Sequence, residues 1–148
     1  MTEVFLALGS NLGDRQAHLR FAVEELEGRG FIVESMSKIY RSEAVGSGGE
    51  GEFLNAVLRG RTELPALELL IACQEVEELA GRSKPTFEGG KREGERALDI
   101  DILLFGEQQS NTPTLQLPHP RALQRPFVLR PLLDVLDSGG VVATNLKW

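Results

Sequence analysis

The chain has one cysteine, one tryptophan, one tyrosine and two histidines in 148 residues, fewer cations than acids, and no long hydrophobic run. The lone Cys73 cannot close an internal disulfide, which suits a reducing cytosol; within an apolar helical stretch it reads as a small buried hydrophobe. No apolar run reaches the roughly 20 residues of a membrane-spanning helix. The opening Glu3-Val-Phe-Leu-Ala-Leu8 has neither a basic leader nor a cleavage site, so neither membrane nor export is expected. Against 22 acids stand 16 lysines and arginines, and the net charge of -6 argues against a broad nucleic-acid surface. The cations are unevenly placed, however. Arg82, Lys84, Lys91, Arg92 and Arg96 gather in one stretch and can attract a polyanion locally.

With 41% hydrophobic and 26% charged residues, the sequence fits a single domain over 1–148 with one core. A short buried strand at 5–8 ends in Gly9-Ser-Asn-Leu-Gly13, and a helix is expected after an Asp14 cap, with Leu19, Ala22, Val23 and Leu26 on one face and Gly28 and Gly30 at its end. Residues 31–40 read as a second strand, 46–51 as a glycine-rich loop and 53–62 as a third strand. Pro65 opens a second helix whose periodic residues are Leu67, Leu70, Ile71, Gln74, Val76 and Leu79, closing at Gly81. Residues 82–96 lack hydrophobic periodicity and read as a long mobile loop, a type that is usually functional or disordered. A fourth strand is expected over 97–105. A turn at Gly106-Glu-Gln108 leads toward a strand at 114–117, a helical turn follows Pro118-His-Pro120, and a helix over 126–136 is bent or interrupted at Pro131. The order strand, helix, strand, strand, helix, strand is that of a ferredoxin-like βαββαβ sandwich, an α+β fold with an antiparallel sheet and helices on one face, here with an added C-terminal hairpin and helices.

Folding alone explains least the pair Asp99 and Asp101 inside Ala97-Leu-Asp-Ile-Asp-Ile-Leu-Leu-Phe105. Residues two apart on a strand face the same way, with Leu98, Ile100 and Ile102 on the opposite face. Two adjacent carboxylates repel unless a cation or several donors lie between them. A hard divalent cation answers this: Mg²⁺ takes one or two carboxylates, keeps part of its water and completes its set from substrate phosphates. The other reading is two acids on a solvated strand face with no ligand.

Several separated motifs, in order, narrow the choice. They are Ala7-Leu-Gly-Ser-Asn-Leu-Gly13; Tyr40-Arg-Ser42; Phe53-Leu-Asn55; Gln74 and Glu77, followed by Gly81-Arg82; Arg96 through Phe105; and Pro118-His-Pro-Arg121, followed by Arg125-Pro-Phe-Val-Leu-x-Pro-Leu132. From Leu6 to about Leu133 the chain resembles the 6-hydroxymethyl-7,8-dihydropterin pyrophosphokinase family of folate biosynthesis. The resemblance implies transfer of pyrophosphate from ATP to the pterin hydroxymethyl group, leaving AMP, with Asp99 and Asp101 holding two Mg²⁺ ions. It places Arg82 and Arg96 with the aspartates as catalytic residues, and Gln74, Glu77, Arg82, Lys84, Ile102, His119 and Arg125 on ATP. It places Ser42, Ala44, Val45, Phe53, Asn55, Asp99 and Phe127 on the pterin.

The sequence departs from the family most between Arg82 and Arg96, where Arg82-Ser-Lys84 replaces an Arg-x-Arg pair and the usual Trp-Gly-Pro is absent. Lysine does not reproduce a bidentate arginine fork, so slower turnover or altered loop closure is expected. A cytoplasmic monomer without nucleic-acid or membrane partners completes the reading. Two rivals stand beside it: another Mg²⁺-dependent nucleotidyl or phosphoryl transferase on the same fold, and a noncatalytic ferredoxin-like binding module.

Overall fold

The computed structural model describes residues 1–43, 52–81, 97–136 and 148. Strand β1 (Thr2–Ser10) leads to helix α1 (Arg15–Glu27), then β2 (Phe31–Met36), β3 (Tyr40–Glu43), β4 (Glu52–Thr62), helix α2 (Ala66–Leu79) and β5 (Asp99–Phe105). Two short strands, β6 (Ser110–Asn111) and β7 (Gln116–Leu117), precede a 3-10 turn at Ala122–Gln124 and helix α3 (Pro126–Leu136). The main sheet runs β2-β4-β1-β5 with every neighbouring pair antiparallel, and β3 pairs with the N-terminal part of β4. None of the described helices is long and apolar enough to cross a membrane.

Strand alternation divides the core in two. Val4, Leu6, Leu8, Leu58, Ile100 and Ile102 face Leu19, Ala22 and Leu26 of α1 and Leu69, Cys73 and Val76 of α2. Phe5, Ala7, Val57 and Leu103 face the other way, against Val128, Leu132 and Val135 of α3. Helices therefore cover both faces, the second by way of the C-terminal addition.

Local chemistry explains the element boundaries. Asp14 caps α1 by accepting the Ala17 amide at 3.1 Å, and the Gly28 amide closes the last turn onto Glu24. Gly30 then takes φ +94°, a conformation that favours glycine, and lets the chain reverse into β2. Pro126 occupies the first turn of α3, where its missing N–H costs nothing. Pro131 is buried on the packed side of that helix, which runs through it without interruption.

Four expectations are corrected. Residues 31–40 form two strands, because the Ser37 side chain takes over the ladder: its Oγ accepts the Val57 amide at 2.8 Å, while its own amide donates to the Val57 carbonyl. Helix α2 is rotated from the expected face; Ala66, Leu69, Cys73 and Val76 are buried, and Leu67, Ile71 and Leu79 are exposed. The turn at Gly106 does not form a hairpin with a strand at 114–117, since β7 pairs with β6. Strand β5 begins at Asp99 rather than 97. The expected loops at 46–51 and 82–96 lie outside the described residues.

Candidate active site

The β1–β5 register sets Asp99 opposite Gly9 and Asp101 opposite Ala7, with Leu8 and Ile100 between them on the core side. Both carboxylates therefore lie on the α3 face of the sheet, as the alternation requires. There they border a cavity of about 370 Å³, which is within the range of small-molecule sites. Of the residues expected on a site, Ser42, Phe53, Asn55, Asp99, Asp101, Arg125 and Phe127 all line this one cavity.

The walls of the cavity carry distinct chemistry. Asn55 stands opposite Gly9 on one side and Tyr40 on the other, in the middle of three strands, and is only 6% exposed. Its Nδ2 donates to Ser42 Oγ at 2.8 Å, which fixes the amide plane. Phe127 lies under the Arg125 guanidinium, whose carbon stands 5.6 Å from the ring centroid, within cation–π range. Gly9 belongs to the same wall. A Cβ there would stand 3.7 Å from Asn55 Oδ1 and 3.8 Å from the Phe53 ring, so its hydrogen leaves room in front of both.

A second cavity of about 290 Å³ opens beside the first and shares Asp101 with it. Leu70, Ile100, Ile102, His119 and residues 113–116, at the β6–β7 turn and the start of β7, line it. His119 is held from two directions. Its amide donates to the Leu103 carbonyl at 3.0 Å, at the point where Leu103 bulges out of the β1–β5 register. Its Nδ1 accepts the Ala122 amide at 3.0 Å, so the neutral ring carries its proton on Nε2. Nε2 lies 3.9 Å from Asp101 Oδ1, and the Asp101 side chain is 54% exposed.

Gln74 and Glu77 sit near one another on α2 but in different environments. Gln74 is exposed, whereas Glu77 is 4% exposed and accepts the Ile100 amide at 2.7 Å. Cys73, one turn earlier on α2, is buried, and burial pushes its thiol up to about 12, with the Glu77 and Asp101 charges adding to the rise. A thiol so hard to ionise is no nucleophile at neutral pH. Arg82, Lys84, Arg96, Ala44 and Val45 lie outside the described residues.

The donor set fits the expected ion. Among the described residues no cluster of three or more His, Cys, Asp or Glu side chains is arranged to hold a metal. Two hard carboxylates on an open cavity suit Mg²⁺, which draws its remaining ligands from water and phosphate, and they suit a closed zinc site poorly. The sequence motifs carry no expected site role for Gly9, Glu43 or Val128 of the first cavity, or for Leu70 and residues 113–116 of the second. The glycine in Ala7-Leu-Gly9 was the one available signal, since a strand glycine often marks close approach by a ligand or another backbone.

Two adjoining cavities that share one carboxylate, Asp101, with Asp99 beside it in the first, are the layout of a two-substrate group-transfer enzyme on an α+β scaffold. The chain belongs to the 7,8-dihydro-6-hydroxymethylpterin-pyrophosphokinase family, which it matches over residues 5–137. It is 42% identical to the 2-amino-4-hydroxy-6-hydroxymethyldihydropteridine pyrophosphokinase of Aquifex aeolicus over 91% of this chain and 81% of that one. Against the Bacillus subtilis protein of the same name, identity is 39% over 97% and 83% of the two chains. A folate synthesis bifunctional protein of Arabidopsis thaliana is 40% identical over 92% of this chain, which spans 27% of that longer protein. Membership makes the chain an ATP-dependent pyrophosphokinase, a diphosphotransferase.

Proposed function

We propose that the first cavity takes 6-hydroxymethyl-7,8-dihydropterin, that the second takes the nucleoside of ATP, and that pyrophosphate passes between them across Asp101, in folate biosynthesis. The observation that carries this is that Asp101 borders both cavities. A new bond forms between the pterin hydroxymethyl oxygen and the β-phosphorus while the bridge to the α-phosphate breaks. The hydroxyl proton is lost, AMP leaves, and the pterin diphosphate remains.

Phe53 and Phe127 hold the flat ring by its faces, and Asn55, its plane set by Ser42, reads the donors and acceptors along one edge. Ala44 and Val45, outside the described residues, are taken as further pterin contacts on the family resemblance alone. Asp99, on the pterin side, and Asp101 would hold two Mg²⁺ ions. When bound, Mg²⁺ neutralises triphosphate charge and aligns the attacking and leaving oxygens. His119 donates from Nε2 to a phosphate oxygen, and Arg125 approaches the triphosphate from the Phe127 side. Ile102, with Leu70, provides the apolar contact for the nucleobase, and Gln74 offers an amide from the exposed side of α2. Arg82, Lys84 and Arg96 add the charge that a tetraanionic substrate needs, Arg82 and Arg96 acting in the chemical step.

The strand order β2-β4-β1-β5 supports a ferredoxin-like assignment, and we take 1–148 as one pyrophosphokinase domain. A cytoplasmic monomer without nucleic-acid partners accords with the acidic charge and single cysteine. The test is AMP release from ATP measured with and without 6-hydroxymethyl-7,8-dihydropterin. Release that depends on both the pterin and Mg²⁺ is expected; release that ignores the pterin refutes the acceptor.

A further inference from the structure

Among the described residues strand β5 is the edge of the main sheet, bonded along one side to β1, so its outer amides need partners from elsewhere. In an antiparallel pair, consecutive residues alternate between pointing their backbone groups at the partner strand and away from it. The Ile100 amide points away, because it donates to Glu77 Oε2 at 2.7 Å in a buried bond. Its neighbours in the register, Asp99 opposite Gly9 and Asp101 opposite Ala7, are therefore the ones bonded to β1. The backbone between the two aspartates is gripped from both sides, by β1 at the aspartates themselves and by Glu77 at the residue between them.

We infer that Glu77 is a positioning residue for the Asp99–Asp101 pair. A carboxylate 4% exposed on α2 fixes the Ile100 amide, and with it the direction in which the flanking side chains leave the strand. The helix supplying this contact is anchored through Leu69, Cys73 and Val76, so the contact cannot drift with solvent. The assignment rests on the reading of Asp99 and Asp101 as the metal-ATP site. It differs from a nucleotide contact by Glu77, which would act on ATP affinity rather than on the chemical step.

The test combines residue-resolved amide exchange on the full chain, free of metal and substrate, with steady-state kinetics. In Glu77→Leu, exchange at Ile100 rises on the order of 10–100-fold while Leu58, in the centre of the sheet, keeps its protection. The kcat falls by about 10–100-fold, the scale for losing a partner that orients a ligating side chain, with KM for ATP within about threefold. Glu77→Gln, which keeps an acceptor oxygen at the same reach, restores most of both. Glu77→Asp retains the charge but shortens the reach; it shifts exchange and kcat in the same direction as Glu77→Leu and carries the test if the leucine variant does not fold. Unchanged Ile100 exchange, lost protection with unchanged kcat, or a raised KM for ATP with kcat intact each overturn the proposal. Near-wild-type turnover by Asp101→Ala overturns the site reading beneath it, whereas an inactive Asp101→Ala beside a fully active Glu77→Leu overturns the Glu77 role alone.

Discussion

Asp99 and Asp101 share a face of β5 but not an environment. Both border the first cavity, and Asp101 also borders the second, with His119 Nε2 at 3.9 Å. Removing that carboxylate takes away the group both substrates would meet. Asp101→Ala is expected to lower AMP release by about 10²–10³-fold or more, the scale of losing one preorganised electrostatic contact, with an unchanged circular dichroism spectrum. His119 permits a finer cut, because its two nitrogens have separate duties. His119→Asn keeps an acceptor near the Ala122 amide and removes the Nε2 donor. Calorimetric titration with a non-hydrolysable ATP analogue should show about tenfold weaker binding, the lower end for one charge-assisted bond; unchanged affinity removes His119 from the ATP site. The carboxylate pair was legible in the sequence because strand period alone puts residues two apart on one face. The hold on His119 was not, since it depends on a bulge at Leu103 that frees a carbonyl for it, and nothing in Ile102-Leu-Leu104 announces which residue is extra.

At the scale of elements, legibility followed the strength of the local constraint. Helix α1 begins and ends where an aspartate cap and two glycines put it, and the observed element matches. Helix α2 has apolar residues on several sides, so periodicity admits more than one buried face. The real choice was made by β5, against which Cys73, Val76 and Glu77 pack. The break between β2 and β3 was hidden because a serine that replaces a ladder bond looks like any strand serine. Gly60 shows a constraint that is visible only in three dimensions. A Cβ there would fall 2.2 Å from the Ile32 carbonyl oxygen and 2.5 Å from the Phe31 ring, itself 1% exposed. Gly60→Ala must push β2 off β4 or displace that ring. A loss of about 1–3 kcal/mol is expected, read as a lower urea midpoint; a midpoint like wild type would mean that the strands part at no cost.

Across the whole molecule, the sheet separates a face devoted mainly to stability, under α1 and α2, from a face where α3 completes a cavity. Helix α3 brings Phe127 to that cavity at its N-terminal end and is tied down near its other end. There Asp134 accepts the Tyr40 hydroxyl at 2.8 Å and the Lys38 amide at 3.1 Å. Tyr40 is paired with Asn55, so one strand position links the α3 tie to the amide proposed to read the pterin. Tyr40→Phe is expected to cost about 1.5–3 kcal/mol in urea denaturation at pH 7, the scale of a hydrogen bond to a charged acceptor. Through the looser wall it should raise KM for the pterin by about three- to tenfold, with KM for ATP unchanged. Burial, followed by the bond to Asp134, raises the Tyr40 pKa above its ordinary 10. The folded state therefore holds the phenolic proton more tightly than the unfolded chain. The stabilisation is full below pH 10 and is lost as pH climbs from there through the folded value. Wild type and Tyr40→Phe should thus differ in urea midpoint at pH 7 and converge above pH 10. A gap that persists unchanged above pH 10 would assign the difference to packing of the ring rather than to the hydroxyl bond, and equal pterin KM values would uncouple α3 from the cavity it walls.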